Sequence, residues 1–421
     1  MTLMTSWVES ANDPQGAFPL NNLPYGVFST QELEPRCGVA IGDMILDMER
    51  AEEEGLILLD PEMPVFDVPF WNDVMELGPE AWANLRARLQ ELLAEGAAER
   101  GAVEPLLVAR KDAELHMPFA VNEYTDFYAG RQHAENMGSI LRGGPELPAN
   151  WLHIPIGYNG RASSVIVSGT PVRRPLGQTK APDADMPSFG PCKRLDIELE
   201  LGAVVGMPCD MGAPITTAQA DEMIFGYVLL NDWSARDIQA WEYQPLGPFQ
   251  GKAFATSISP WIVTKAALEP FRTPVPERSK ELLPYLAEEK PGNYDIELQV
   301  LMQPESAAQA SVVATTNASR LYYSAAQQLT HHAVGGCGMN AGDLLGSGTI
   351  SGPERSEYGS LMELSWNGKE PFTLETGEQR GFIEDGDTLT LRGTARGDGY
   401  TIGFGDCVGQ IVPALDDPFK G

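Results

Sequence analysis

From Asp196 to Leu201 the chain reads Asp-Ile-Glu-Leu-Glu-Leu, a strict alternation of acid and aliphatic residue. An extended strand gives that pattern a meaning. Its period of two sends Asp196, Glu198 and Glu200 to one face and Ile197, Leu199 and Leu201 to the other. Acids that follow one another on such a face stand about 7 Å apart, because each residue advances the strand by ~3.3 Å. A solvated face tolerates three carboxylates without further explanation. In a cleft they repel unless a cation sits among them. Hard cations such as Ca²⁺ and Mg²⁺ take oxygen ligands of this kind.

The rest of the chain suits a fold built on strands. Its 43 glycines and 33 prolines are not periodic and imply many turns. Ile224–Leu230 is an apolar run that ends at Asn231-Asp232, as a buried strand would. Six glycines fall among β-formers between Gly393 and Gly409, which fits tightly curved strands. Five prolines between Pro270 and Pro291 suit an extended surface arm. Toward the N-terminus, Cys37–Ala40 and Met44–Asp47 flank Ile41-Gly42-Asp43, a hairpin signal. Leu85, Leu89, Leu92 and Leu93 then recur at helical spacing behind Pro79, with a break expected at Gly96–Ala102. The reading is α+β, mostly β, with a small unit over residues 1–116 and a large one over 117–421. A chain of 421 residues, 43% of them hydrophobic, has material for both cores.

Composition removes several functions. The net charge of −30 argues against nucleic acid and anionic membrane surfaces, which call for a basic face. No apolar stretch approaches the ~18–20 residues of a membrane span. Five cysteines, an odd number without Cys-x-x-Cys spacing, suit a reducing compartment. Met1–Phe18 lacks a basic segment followed by an apolar one, so a cytoplasmic location is expected. No Walker loop, dinucleotide fingerprint or Gly-x-Ser-x-Gly elbow is present.

Four further segments bear chemistry. After Asp232 the sequence places Ser234 and Asp237 as a capping box for a helix carrying Arg236, Gln239 and Tyr243 on one face. Such a face either recognises carboxylates or is an exposed polar surface. In Tyr124–His133, Asp126 is placed to cap a helix that carries His133, with Tyr128 near its start. His133 is a structural residue or a base, and as a base it needs an orienting carboxylate. Glu363, set among apolar residues, is one candidate. Lys252, in a Gly-rich aromatic stretch, is either a surface lysine or a desolvated cation that stabilises an anion. His331 and His332, next to Cys337, read as structural because adjacent residues do not share a helix face.

Together these strings are specific. Asn22–Thr30, Tyr124–His133, Asn150–His153 through Ser168–Pro171, Asp196–Glu200, Asn231–Gly251 and Gly348–Pro353 closely resemble the fumarylacetoacetase family. The resemblance runs from about residue 17 to 415 and includes the N-terminal part, which the wider fumarylacetoacetate hydrolase superfamily usually lacks. It implies a small SH3-like barrel before a β-rich C-terminal domain, and a homodimer. It implies Ca²⁺ or Mg²⁺ held by Asp126, Glu198, Glu200 and Asp232, with Lys252 and Thr256 beside a second Mg²⁺ position that shares Asp232. His133 would be the general base, oriented by Glu363. Arg236, Gln239 and Lys252 would stabilise negative charge. Tyr128, Arg142, Tyr158, Gln239, Tyr243 and Thr349 would contact the substrate. The implied reaction is hydrolysis of the dicarboxylate β-diketone 4-fumarylacetoacetate to fumarate and acetoacetate, the last step of tyrosine and phenylalanine breakdown. The alternatives are a related hydrolase or decarboxylase acting on another β-diketo acid such as an acylpyruvate, and a non-catalytic binding protein. The sequence departs from the family's animal members at Asn159, where His is expected, and in length around Arg142–Pro145. The Asn159 change is expected to alter the wall of the site.

Overall fold

The computed structural model describes residues 2–419. Strands β1 (Tyr25–Ser29), β2 (Arg36–Ile41) and β3 (Met44–Asp47) form a meander. The β2–β3 turn uses Gly42 at φ 56°, as the Gly-Asp signal requires. Helix α1 (Gly78–Leu93) buries Leu85, Leu89, Leu92 and Leu93, the stripe read from their spacing. Short strands β4 (Leu107–Ala109) and β5 (Glu114–His116) complete this part.

The C-terminal part begins with β6 (Tyr124–Phe127), α2 (Arg131–Arg142) and β7 (Gly157–Asn159). It continues through β8 (Leu195–Asp196), β9 (Leu199–Val205), β10 (Ile224–Asp232), β11 (Ser234–Ala235) and α3 (Arg236–Glu242). Then follow β12 (Thr256–Ile258), β13 (Trp261–Thr264), β14 (Leu344–Gly346) and the one-turn helix α4 (Leu361–Leu364). The main sheet runs β4-β3-β2-β1-β13-β10-β9-β14-β6-β7, with β5 on β1 and β12 on β10. A second, curved sheet is built on Glu297–Gln303, Ser311–Asn317, Thr388–Arg396 and Cys407–Val412, where the late glycines fall. The fold is thus sheet-rich with a small N-terminal part and a large C-terminal one.

Three expectations are corrected. The alternating run is not one strand: β8 and β9 are separate, and both faces of the run are buried. Ser234 does not cap α3. It lies in β11, paired with Asp196, and its hydroxyl donates to the Asp232 carbonyl, while Asp237 accepts from the Lys193 amide. Asp126 does not cap α2 either. It sits inside β6, hydrogen-bonded between β14 and β7, and α2 starts after Gly130. A side chain at Gly130 would strike the Thr349 carbonyl, so this turn requires glycine.

The two parts share one sheet, and the N-terminal core takes in Val204, Val228, Leu230 and Ile258 of the large part. Gly26 of β1 pairs with Trp261 of β13. A Cβ at Gly26 would stand 2.5 Å from the buried Trp261 ring and 2.9 Å from the Pro260 carbonyl. Gly26→Val should therefore lower stability by about 1–3 kcal/mol through overpacking. Gly101→Ala, where open space surrounds the site, is the neutral control. Chemical denaturation of both variants checks the difference.

Candidate metal centre and active site

Asp126 of β6, Glu198 just before β9, Glu200 at the start of β9, and Asp232 at the end of β10 converge. Each offers an oxygen within 4.8 Å of the others, and all four are buried. Adjacent strands bring the chain ends together here: Leu199 pairs with Asn231, and Gly346 pairs with Asp126. Gly346 has no side chain because Glu200 Oε2 would lie 2.9 Å from it.

Two cations enter the cluster. Lys252 Nζ donates to Glu198 Oε2 and Asp232 Oδ2, both at 2.6 Å. It is buried, so its surface reading falls. Arg236 Nη2 lies 2.8 Å from Glu198 Oε1, and its Nη1 donates to Gln239 Oε1 at 3.3 Å. Arg236 and Gln239 thus share the helix face their spacing implied. Burial raises the cost of charge on Glu198, but Lys252, Arg236 and His133 overcome it and hold its carboxyl well below the ordinary range.

Asp126 and Glu200 are in the opposite state. Burial first, and then repulsion from neighbouring carboxylates, push both well above the ordinary range. Asp126 Oδ1 and Glu200 Oε1 have no hydrogen-bond partner among the described residues. Two uncompensated carboxylates and two orphaned oxygens, among four hard oxygen donors, fit one divalent cation. Thr256 Oγ1 lies 3.4 Å from Asp232 Oδ1.

Beside the acids stands a His–Glu pair. His133, on α2, meets Glu363 Oε2 through Nδ1 at 2.7 Å, and its Nε2 is 3.9 Å from Glu198 Oε1. Glu363 is wholly buried and is charged nonetheless. Burial opposes ionisation, but His133, Asn136 and Ser360 hold its carboxyl below the usual value. Asn136 donates to its other oxygen at 2.8 Å, and Ser351 and Ser360 donate at 3.0 and 2.8 Å. These three residues escaped the sequence reading. A signal existed for two of them: Asn136 is three residues from His133 on one helix, and Ser360-Leu361-Met362-Glu363 has capping-box spacing.

A cavity of about 410 Å³ opens onto Asp126, His133, Glu198, Arg236, Gln239 and Lys252. Tyr128, Arg142, Tyr158, Tyr243 and Thr349 also line it, so every residue expected to contact a substrate reaches one space. Tyr128 packs edge-on against His133 at 5.5 Å. Tyr243 sits half-exposed at the mouth. Arg142 bonds the Glu146 carbonyl at 2.9 Å. Asn159 corrects an expectation: it lines a neighbouring cavity with Asn150, His331 and His332, not the catalytic one. His331 and His332 are held by Tyr285 and Thr125, at 2.9 and 2.8 Å.

Comparison with known proteins agrees with this geometry. Residues 21–118 match the family described as Fumarylacetoacetase N-terminal, and residues 123–412 match Fumarylacetoacetate (FAA) hydrolase C-terminal. The Fumarylacetoacetase of Homo sapiens is 48% identical over 418 residues, 97% of this chain and 99% of that protein. The Fumarylacetoacetase of Bos taurus is 49% identical over the same shares, and that of Arabidopsis thaliana is 46% identical over 98% of this chain and 100% of its own. Among solved structures, a fumarylacetoacetate hydrolase from Exiguobacterium antarcticum shares the fold. It has a TM-score of 0.53 and 16% identity, with 93% of this chain and 100% of that one covered. By its sequence over nearly the whole length, the chain belongs to the fumarylacetoacetase family.

Proposed function

We propose that the protein hydrolyses the carbon–carbon bond of 4-fumarylacetoacetate, giving fumarate and acetoacetate, the final step of tyrosine and phenylalanine catabolism. The observation that carries this reading is the hydrogen-bonded His133–Glu363 pair beside four convergent acids, with His133, Asp126, Glu198, Arg236, Gln239 and Lys252 opening onto one cavity. Identity of 48% to the human relative, over both parts of the chain, favours it over an acylpyruvate substrate.

Asp126, Glu198, Glu200 and Asp232 would hold the divalent cation, Mg²⁺ or Ca²⁺. Lys252 and Thr256 would flank a second Mg²⁺ at Asp232. When bound, the cation supplies Lewis-acid polarisation of the diketone oxygens and neutralises the acids. Glu363 fixes the His133 ring through Nδ1, which leaves Nε2 facing the cavity to take a proton from water. The hydroxyl adds to the carbonyl next to the fumaryl group. Arg236, Gln239 and Lys252 hold the oxyanion that forms there. The carbon–carbon bond then breaks, its electrons leave on acetoacetate as an enolate, and a proton returned to that carbon completes the balance. Tyr128, Arg142, Tyr158, Tyr243 and Thr349 orient the dicarboxylate ends. The same reading takes residues 1–116 as an SH3-like unit, 117–421 as the catalytic domain, and the protein as a cytoplasmic homodimer. It names a small-molecule partner and no nucleic acid or membrane. In support, the charge is −30, and no helix among the described residues is long and apolar enough to cross a membrane.

Purified protein with Mg²⁺ or Ca²⁺ should bleach the enol–enone absorbance of fumarylacetoacetate and release both products. His133→Ala should lower kcat by about 10²–10⁴-fold. An intact substrate, or an unaltered rate in the variant, overturns the reading.

Cation removal should also register in stability. A cation at 100 times its Kd raises stability by about 2.7 kcal/mol, and this gain should vanish in Asp126→Asn/Glu200→Gln. Without cation, the folded chain keeps protons on Asp126 and Glu200 where the unfolded chain has lost them. Those raised groups make stability fall as pH climbs above the ordinary carboxylate range of about 4. Melting of chelated wild type should therefore drop more steeply with rising pH than melting of the double variant.

A further inference from the structure

Asp196 belongs to the acidic run but not to the four converging acids. Its carboxylate is wholly buried and accepts four hydrogen bonds. Oδ1 takes the amides of Ile197 and Leu361 at 2.8 and 2.7 Å. Oδ2 takes Arg236 Nε at 2.8 Å and the Met362 amide at 3.1 Å. Three of these donors belong to opposite halves of the site. Arg236 reaches on to Glu198 and Gln239 and lines the cavity. Leu361 and Met362 open helix α4, and the next residue is Glu363, the partner of His133. The oxyanion-stabilising side and the proton-transfer side therefore meet at one carboxylate that touches neither cavity nor substrate.

We propose that Asp196 is the positioning residue shared by both halves, setting Arg236 and the Glu363–His133 pair at a fixed separation. The inference rests on the hydrolase reading above. A carboxylate is the group the site needs: four donors converge on two oxygens. An amide at this place has one accepting oxygen and turns an N–H₂ toward the donors on its other side.

Asp196→Asn should lower kcat by about 100-fold, the scale of losing one oxyanion donor, with KM changed less than about threefold because the substrate contacts remain. The loss should be non-additive with Arg236→Met and with Glu363→Gln, each background absorbing most of it. Asp196→Ala, assayed in parallel, should recover at least about a tenth of wild-type kcat on adding formate, a carboxylate small enough for the vacated space. An active Asp196→Asn overturns the inference alone. So does a folded Asp196→Ala that formate does not rescue, and so do losses that multiply independently in both backgrounds. Failure of both variants to fold overturns it in favour of a purely structural role. A wild type that leaves fumarylacetoacetate intact strikes the functional reading first, and this inference with it.

Discussion

Four carboxylates buried within 4.8 Å of one another repel strongly, and much of the surrounding structure answers that repulsion. Lys252 and Arg236 compensate Glu198, and Lys252 also reaches Asp232, which leaves Asp126 and Glu200 without a cationic partner. A cluster fully compensated by side chains would have no reason to take up a cation. One with no cations would be too repulsive to assemble, since burying unpaired charge in low dielectric is costly. The protein stands between those limits, with a deficit that one divalent ion fills. The same two cations face the cavity, so the groups that make the cluster tolerable are also available to a developing oxyanion.

Much of this was legible in the sequence. The apolar run ending at Asp232 announced a strand that delivers an acid. The Arg236–Gln239 face emerged from helical spacing. Residue types at Asp126, His133 and Glu363 became assignable through the family strings, because His133 and Glu363 lie 230 positions apart and nothing local joins them. The hidden parts share a physical cause. Ser234 and Asp126 looked like caps because short polar side chains cap helices, yet strand pairing with Asp196 and with Gly346 fixed them first. Alternation from Asp196 to Leu201 suggested one wet face. Burial on both faces is a tertiary outcome that a period of two cannot distinguish. Asn159 looked like part of the wall of the site because it adjoins Tyr158, but Tyr158 borders both cavities whereas Asn159 lines only the neighbouring one.

That alternation also explains what the N-terminal part contributes. On β10, Tyr227 and Leu229 pack into the core of the large domain, whereas Val228 and Leu230 pack into the core that holds Leu20, Val39, Leu85 and Leu89. Asp232 continues the second set, two residues beyond Leu230. Tyr124 belongs to the N-terminal core and Asp126 follows it at the same spacing. Ile258 belongs there too, with Thr256 on its face, and Val204 stands in the same relation to Glu200. Three of the four acids therefore lie on the sheet face that the N-terminal part covers, just past the end of its apolar contacts. The strands are clamped from both sides along their length and release their acids only at the tips. Removing the N-terminal cover would expose apolar surface on the strands that fix Asp126, Glu200 and Asp232. A close-packed interior transmits such a change to the tips instead of absorbing it. The small part in this sense supports the acid cluster, although among the described residues none of its side chains lines the cavity.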